Sequence, residues 1–145
     1  MNIKTVTMRQ MQAKDIRAAY KLWQELGMFL AAPKHEVREI TQLLKHNPGM
    51  SFVAVVREEL IGTVVGAWTG RRAWVHHLAV ARQWQRQGIG ALLLNKQEKV
   101  FCQVGVTKVL LGVSMNNLKV VPFYEKYGFT VMPDALYFSK QLNVK

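Results

Sequence analysis

Gln85-Arg86-Gln87-Gly88-Ile89-Gly90-Ala91 is the stretch that decides how the rest of the chain reads. Ahead of it, Trp74-Val75-His76-His77-Leu78-Ala79-Val80 alternates as a strand does. Behind it, Leu92, Leu93, Leu94, Lys96, Gln97, Glu98 and Val100 are mostly good helix formers. The arrangement is a strand, a short basic loop, and glycines that open a helix. The first turn of a helix leaves backbone N–H groups without partners and carries a partial positive charge. Glycine lets an anion come close to that backbone. The stretch therefore reads as a phosphate cradle, although glycines also mark ordinary helix starts.

The residues after the glycines exclude two common cradles. A nucleotide triphosphatase loop needs Lys-Ser/Thr after its last glycine, and Ala91-Leu92 stands there. A dinucleotide fingerprint needs a third glycine, and Leu93 occupies that position.

With 145 residues, half of them hydrophobic, the chain has the size of one domain with a real core. We expect a single domain over residues 1–145. No apolar run approaches a membrane span, and Met1-Asn2-Ile3-Lys4-Thr5 lacks the apolar core of a signal peptide. The single Cys102 has no internal disulfide partner, so a reducing, cytoplasmic setting is expected. Cys102 falls in a helical pattern and is expected to be a packed small side chain.

The charge is lopsided, with 20 Lys and Arg against 9 Asp and Glu, a net +11. Its distribution matters more than its size. Between Glu59 and Glu98 there is no carboxylate, and from Leu60 to Tyr124 Glu98 stands alone. The middle of the chain thus surrounds the glycine loop with positive field. That suits a polyanionic small molecule, and equally RNA, a ribosome or an acidic protein.

Read in order, the chain predicts a first strand over Ile3 to Met8, with Asp15 capping a helix that carries Ile16, Ala19, Tyr20, Trp23 and Leu26 and ends at Gly27. Pro33 opens a second helix that Asn47-Pro48-Gly49 stops. Ser51–Val56 and Leu60–Trp68 form a hairpin around Arg57-Glu58-Glu59, and Thr69-Gly70-Arg71-Arg72 turns into the strand Ala73–Val80. After the helix from Gly88 to Val104, Lys108–Ser114 is a buried strand. Asn117 caps a last helix that Gly128 ends, with Pro122 bending it from inside. Thr130–Leu142 is expected to form a final hairpin around Met132-Pro133-Asp134. Parallel pairing is expected only across the glycine helix, which makes the fold α/β (α+β) with a mixed, mostly antiparallel sheet.

Gln85-x-x-Gly88-x-Gly90 resembles the acetyl-coenzyme A loop of the GCN5-related N-acetyltransferases, the GNAT family. A second motif sharpens the likeness: Asn117, then seven residues later Tyr124, inside Phe123-Tyr124-Glu125-Lys126-Tyr127-Gly128-Phe129. Leu78-Ala79-Val80 sits as that family's strand does. The resemblance covers nearly the whole chain, and its central half resembles a bacterial subgroup of small acetyltransferases. It implies a GNAT-like sheet of about seven strands with helices on both faces, and acetyl-CoA as co-substrate without a metal. It further implies that backbone groups of Leu78, Ala79 and Val80 pair with the pantetheine arm. Gln85, Arg86, Gln87, Gly88, Ile89, Gly90 and Ala91 would hold the pyrophosphate. Asn117 would touch the coenzyme, and Tyr124 would lie near its sulfur.

Acetyl transfer to an amine needs a neutral nucleophile and benefits from a proton donor to the departing thiolate. Tyr124 is the candidate acid. Many relatives carry a Glu on the strand before the loop, two positions ahead of the hydrophobic that is Leu78 here. His76 stands there instead, and no carboxylate lies on that strand. His76 is therefore the candidate base, with a water path as the alternative. Strand alternation predicts that His76 and His77 face opposite ways, which also argues against a zinc site.

The resulting functional expectation is an N-acetyltransferase acting on a primary amine, small-molecule or peptide. A basic RNA- or ribosome-associated protein, including one of this fold acting on aminoacyl-tRNA or a ribosomal protein, is the alternative from another class. A binder of this fold without catalysis is a third. The acceptor pocket is expected from Met28–Lys34, Trp68–Trp74 and Met132–Tyr137, and exposed tail strands would allow a homodimer.

Overall fold

The computed structural model describes residues 5–28 and 30–143. Ile3 of the expected first strand and Phe29 of the expected acceptor wall lie outside the described residues. The chain divides into two units, one ending at Leu111 and the other starting at Gly112.

The first unit contains β1 (Thr7–Gln10), α1 (Ile16–Glu25), α2 (Pro33–His46), β2 (Phe52–Val56), β3 (Glu59–Trp68), β4 (Ala73–Val80), α3 (Ile89–Gln103) and β5 (Val109–Leu111). The strands lie side by side in that order. All neighbours are antiparallel except β4 and β5, the pair that α3 joins as a crossover. The β2–β3 hairpin closes through Arg57 and Glu58, both at positive φ (49° and 67°), as a two-residue turn matched to strand twist demands.

Helices cover both faces of the sheet. Gly62 and Gly66 of β3 turn toward Leu93, Gln97 and Phe101 of α3. Thr63, between them in the alternation, meets Trp23 of α1 on the other face. Trp23, Phe101, Ile16, Ile61, Ile89, Leu93 and Leu94 are the largest apolar side chains fully buried by this packing.

Gly66 shows how closely α3 approaches. A Cβ there would overlap the Met50 carbonyl oxygen and the Gln97 side chain, both in the core. Neither a backbone oxygen nor a fully buried glutamine yields easily. Gly66→Ala should therefore destabilise the protein by about 1–3 kcal/mol, the usual range for overpacking, read as a lower urea midpoint.

Several expectations change at the edges. The first strand is shifted to Thr7–Gln10. Asp15 stands at the N-cap position of α1 but its side chain makes no cap bond; the carboxylate turns back to accept from the Gln12 amide and, at 2.8 Å on each oxygen, from the Arg9 guanidinium. Cys102 is exposed rather than packed. It lies one residue, about 100° around the helix, from Phe101, which takes the core-facing position.

In the second unit, a 3-10 helix over Met115–Val120 leads into α4 (Val121–Lys126). Ser114, not Asn117, caps the first of these, its hydroxyl accepting from the Asn116 amide. Asn117 itself is non-helical, with φ −134° and ψ 38°. Pro122 sits in the first turn of α4, where a missing N–H costs nothing, so it opens the helix instead of bending it. Gly128 ends α4 as expected: its amide bonds the Glu125 carbonyl, and the Phe129 amide bonds that of Tyr124.

The sheet has five strands rather than about seven, because the tail forms no ladder among the described residues. Val131, Leu136 and Phe138 are 78%, 86% and 92% exposed. Alternation says which side chains could share a face. It does not supply the neighbouring strand, and a lone hairpin is marginal in water.

Candidate active site

β4 pairs with β3 along its length but with β5 only from Ala73 to Val75. Past Val75, the β5 side of β4 has no strand beside it among the described residues. An unpaired strand edge presents free N–H and C=O groups. Leu78, Ala79 and Val80 lie on this open stretch.

The same stretch carries a bulge. Val65 of β3 pairs with His76, and Thr63 pairs with Ala79, so Val64 faces both His77 and Leu78. His77 is the distorted residue, at φ +44°. A bulge breaks the alternation of side chains and re-aims them. His76 shares the face of Val65 and Thr63, the α1 face, by register. The His77 ring also reaches that face, stacked 4.0 Å from Trp23 and 3.1 Å from a Glu36 carboxylate oxygen. The expectation that the two histidines diverge is thus overturned.

Their surroundings differ. His76 is exposed, its ring parallel to Trp74 with centroids 6.2 Å apart. Desolvation, then the neighbouring His77, hold its pKa below the ordinary value. His77 is tucked between α1 and α2. Burial lowers its pKa too, with Glu36 pulling the other way.

Beyond β4 the chain makes a 3-10 turn over Arg82–Trp84, anchored by buried Trp84. The Gln85 side chain closes this loop by donating to the Val80 carbonyl at 2.8 Å. Arg86 and Gly88 come next at φ +64° and +84°. Gly88 is the N-cap of α3 and brings no side-chain acceptor to the first-turn amides. A Cβ at Gly88 would meet nothing within 4 Å, so the space in front of the helix start is open. Arg86 is exposed, and its guanidinium has no hydrogen bond or ion pair among the described residues.

The second unit carries Asn117 and Tyr124. Asn117 is exposed on the 3-10 helix. Tyr124 packs edge-on against Phe123 (5.3 Å) and Phe129 (5.8 Å), the latter across the helix end that Gly128 makes. Burial raises the phenol's pKa, so it stays protonated at neutral pH.

Comparison with known proteins decides the family. A sequence profile of the Acetyltransferase (GNAT) family matches residues 12–129. The chain belongs to the GNAT family. Among relatives, it is 27% identical over 128 residues to the acetyltransferase SG1711 of Sodalis glossinidius, covering 88% of this chain and 89% of that one. In fold it is similar to Ard1 of Thermoplasma volcanium, with a TM-score of 0.78, 23% identity, and 88% and 84% of the two chains covered. It is also similar to an acetyltransferase of Clostridium acetobutylicum solved with acetyl-CoA, with a TM-score of 0.76, 19% identity, and 92% and 96% covered.

This protein is an acetyl-CoA-dependent acetyltransferase, and the first unit of this GNAT chain fits its co-substrate at the level of chemistry. The start of α3 offers uncapped amides to a pyrophosphate, and the β4 edge offers backbone groups to an amide-bearing arm. What sequence reasoning missed beside His77 is Glu36. It lies 41 residues from His77 with no local motif to announce it. Among the described residues no helix is long and apolar enough to cross a membrane.

Gly90 lies in the first turn of α3. Gly90→Val should weaken acetyl-CoA binding at least tenfold, on the order of 1.4 kcal/mol, by standing a branched side chain where the phosphates approach. Calorimetric titration checks it, with a folded variant of parental affinity counting against the cradle.

Proposed function

We propose that the enzyme transfers the acetyl group to a primary amine by direct attack in a ternary complex, with no acyl-enzyme. The observation that carries this reading is the open edge of β4, with an exposed histidine beside it and an uncapped helix start beyond it. We take both units as one working domain, a reading supported by a family match that runs across their boundary.

When bound, acetyl-CoA supplies the thioester carbonyl and a thiolate leaving group. In this reading Leu78, Ala79 and Val80 orient its arm through backbone groups. Gln85, Arg86, Gln87, Gly88, Ile89, Gly90 and Ala91 form the pyrophosphate cradle, with Gln85 as its brace and Arg86 as its charge. Asn117 contacts the coenzyme. His76 takes the proton that the ammonium must lose before it attacks, and Tyr124 gives one to the departing sulfur. The test is an acetyl-transfer screen over polyamines, amino acids, aminoglycosides, peptides and charged tRNA. Turnover of any amine supports the reading. No turnover by a protein that binds acetyl-CoA overturns it.

One observation favours an acceptor carried on RNA or a ribosomal protein. Arg71, Arg82, Arg86, Lys96, Lys99 and Lys108 are all exposed within the stretch where Glu98 is the lone carboxylate. Binding to RNA that weakens steeply with salt would support this version, and salt-independent binding would oppose it.

A further inference from the structure

Segments distant in sequence converge on the β4 bulge. The Glu36 carboxylate of α2 is buried, with both oxygens engaged. Oε1 faces His77 Nε2 at 3.1 Å, and Oε2 accepts from the Ala31 amide at 3.1 Å. A carboxylate oxygen accepts, so this contact calls for a His77 ring with a proton on Nε2. Trp23 covers the ring and donates through Nε1 to Thr63 Oγ1 at 2.9 Å. Thr63 in turn donates to the His77 carbonyl at 2.7 Å. Ring and backbone of the bulge residue are therefore held separately.

This arrangement is costly in two ways. Burying a carboxylate is seldom the cheapest way to stabilise a fold, since apolar replacements often serve as well. A histidine at positive φ is strained, and such strain persists where surrounding contacts over-determine it. Both costs fall where β4 leaves β5, beside the proposed base, and on a contact to the loop between α1 and α2.

We infer that Glu36 and His77 are a positioning pair for the acceptor side of the transfer site, tying the α1–α2 loop at Ala31 to the bulge that aims His76. The carboxylate that β4 lacks reaches it from α2. Neither Glu36 nor His77 is among the residues that hold the coenzyme in this reading, so the effect belongs to the amine and not to the coenzyme. The inference rests on the acetyl-transfer reading.

Glu36→Leu removes both hydrogen bonds at similar volume, whereas Glu36→Gln keeps an oxygen that can accept from His77. Imidazole 15N NMR should show the Nε2–H tautomer at His77 in the parent and its loss in Glu36→Leu. With the best amine of the screen, kcat/KM should fall on the order of 10²-fold in Glu36→Leu, the scale of a misplaced reacting group. Glu36→Gln, whose one acceptor oxygen can serve His77 while its NH2 cannot accept from the Ala31 amide, should recover part of that loss, and calorimetric acetyl-CoA affinity should match the parent in both. His77→Asn breaks the same link with a side chain that tolerates positive φ, so it serves if Glu36→Leu does not fold. Parental kcat/KM in a folded Glu36→Leu or His77→Asn protein overturns the inference. So does a Glu36→Gln variant as slow as Glu36→Leu, which would mean that the contact to His77 positions nothing. So does coenzyme affinity that falls in step with turnover. A parent that binds acetyl-CoA yet acetylates no amine fails the transfer reading itself, whatever the NMR shows of the pair.

Discussion

Tyr124→Phe is expected to lower kcat by roughly 10²–10⁴-fold, the range of general acid–base catalysis, without loss of the fold. The substitution deletes the hydroxyl and keeps the ring, and the ring is what packs against Phe123 and Phe129. Those contacts, with the helix end that Gly128 makes, should hold residue 124 in place in the variant. Burial raises the phenol's pKa, so the proton it would give is present throughout the neutral range. Acetyl-CoA affinity should change little, because a thioester sulfur in the ground state carries no charge for the phenol to stabilise. A contribution confined to the transition state lowers kcat and kcat/KM together. Steady-state kinetics beside equilibrium titration of acetyl-CoA is the measurement. Parental turnover would reduce Tyr124 to packing, and a collapse of affinity would make it a binding residue.

His76→Ala is expected to lower kcat/KM for the amine by roughly 10²-fold and to erase the acidic limb of its pH profile. The sign comes from the direction of the shift. A base works in its neutral form, so activity is present above its pKa and is lost as pH falls through it. Desolvation and His77 hold His76 below its ordinary 6.5, which places that limb on the acid side of 6.5 and leaves the base competent at neutral pH. Deprotonation of the acceptor amine gives a separate limb at higher pH, and that limb should survive the substitution. If the acidic limb survives as well, the proton goes to water or to His77. The Glu36 variants separate those two, since His77 alone has that carboxylate beside it.

The elements that surround the glycine loop are legible in the sequence. β4 reads with its observed bounds, Ala73–Val80, because alternation and flanking turns are local signals. The helix start at Gly88, the parallel β4–β5 pair and the stop at Gly128 come from glycine chemistry and from the geometry of a crossover, both of which are written into short stretches of chain. The Asn117 and Tyr124 motif is legible only as a resemblance to the GNAT family. Which side chains meet depends instead on tertiary packing. Register with β3 makes the bulge, and the bulge turns His76 and His77 to one face, against the alternation that isolated strand geometry dictates. Glu36 reaches β4 only because α2 packs on α1, which lies against β4. The tail has the alternation of a hairpin and forms none, and Cys102 has helical surroundings and lies exposed, because pairing and burial depend on neighbours that a local pattern does not specify.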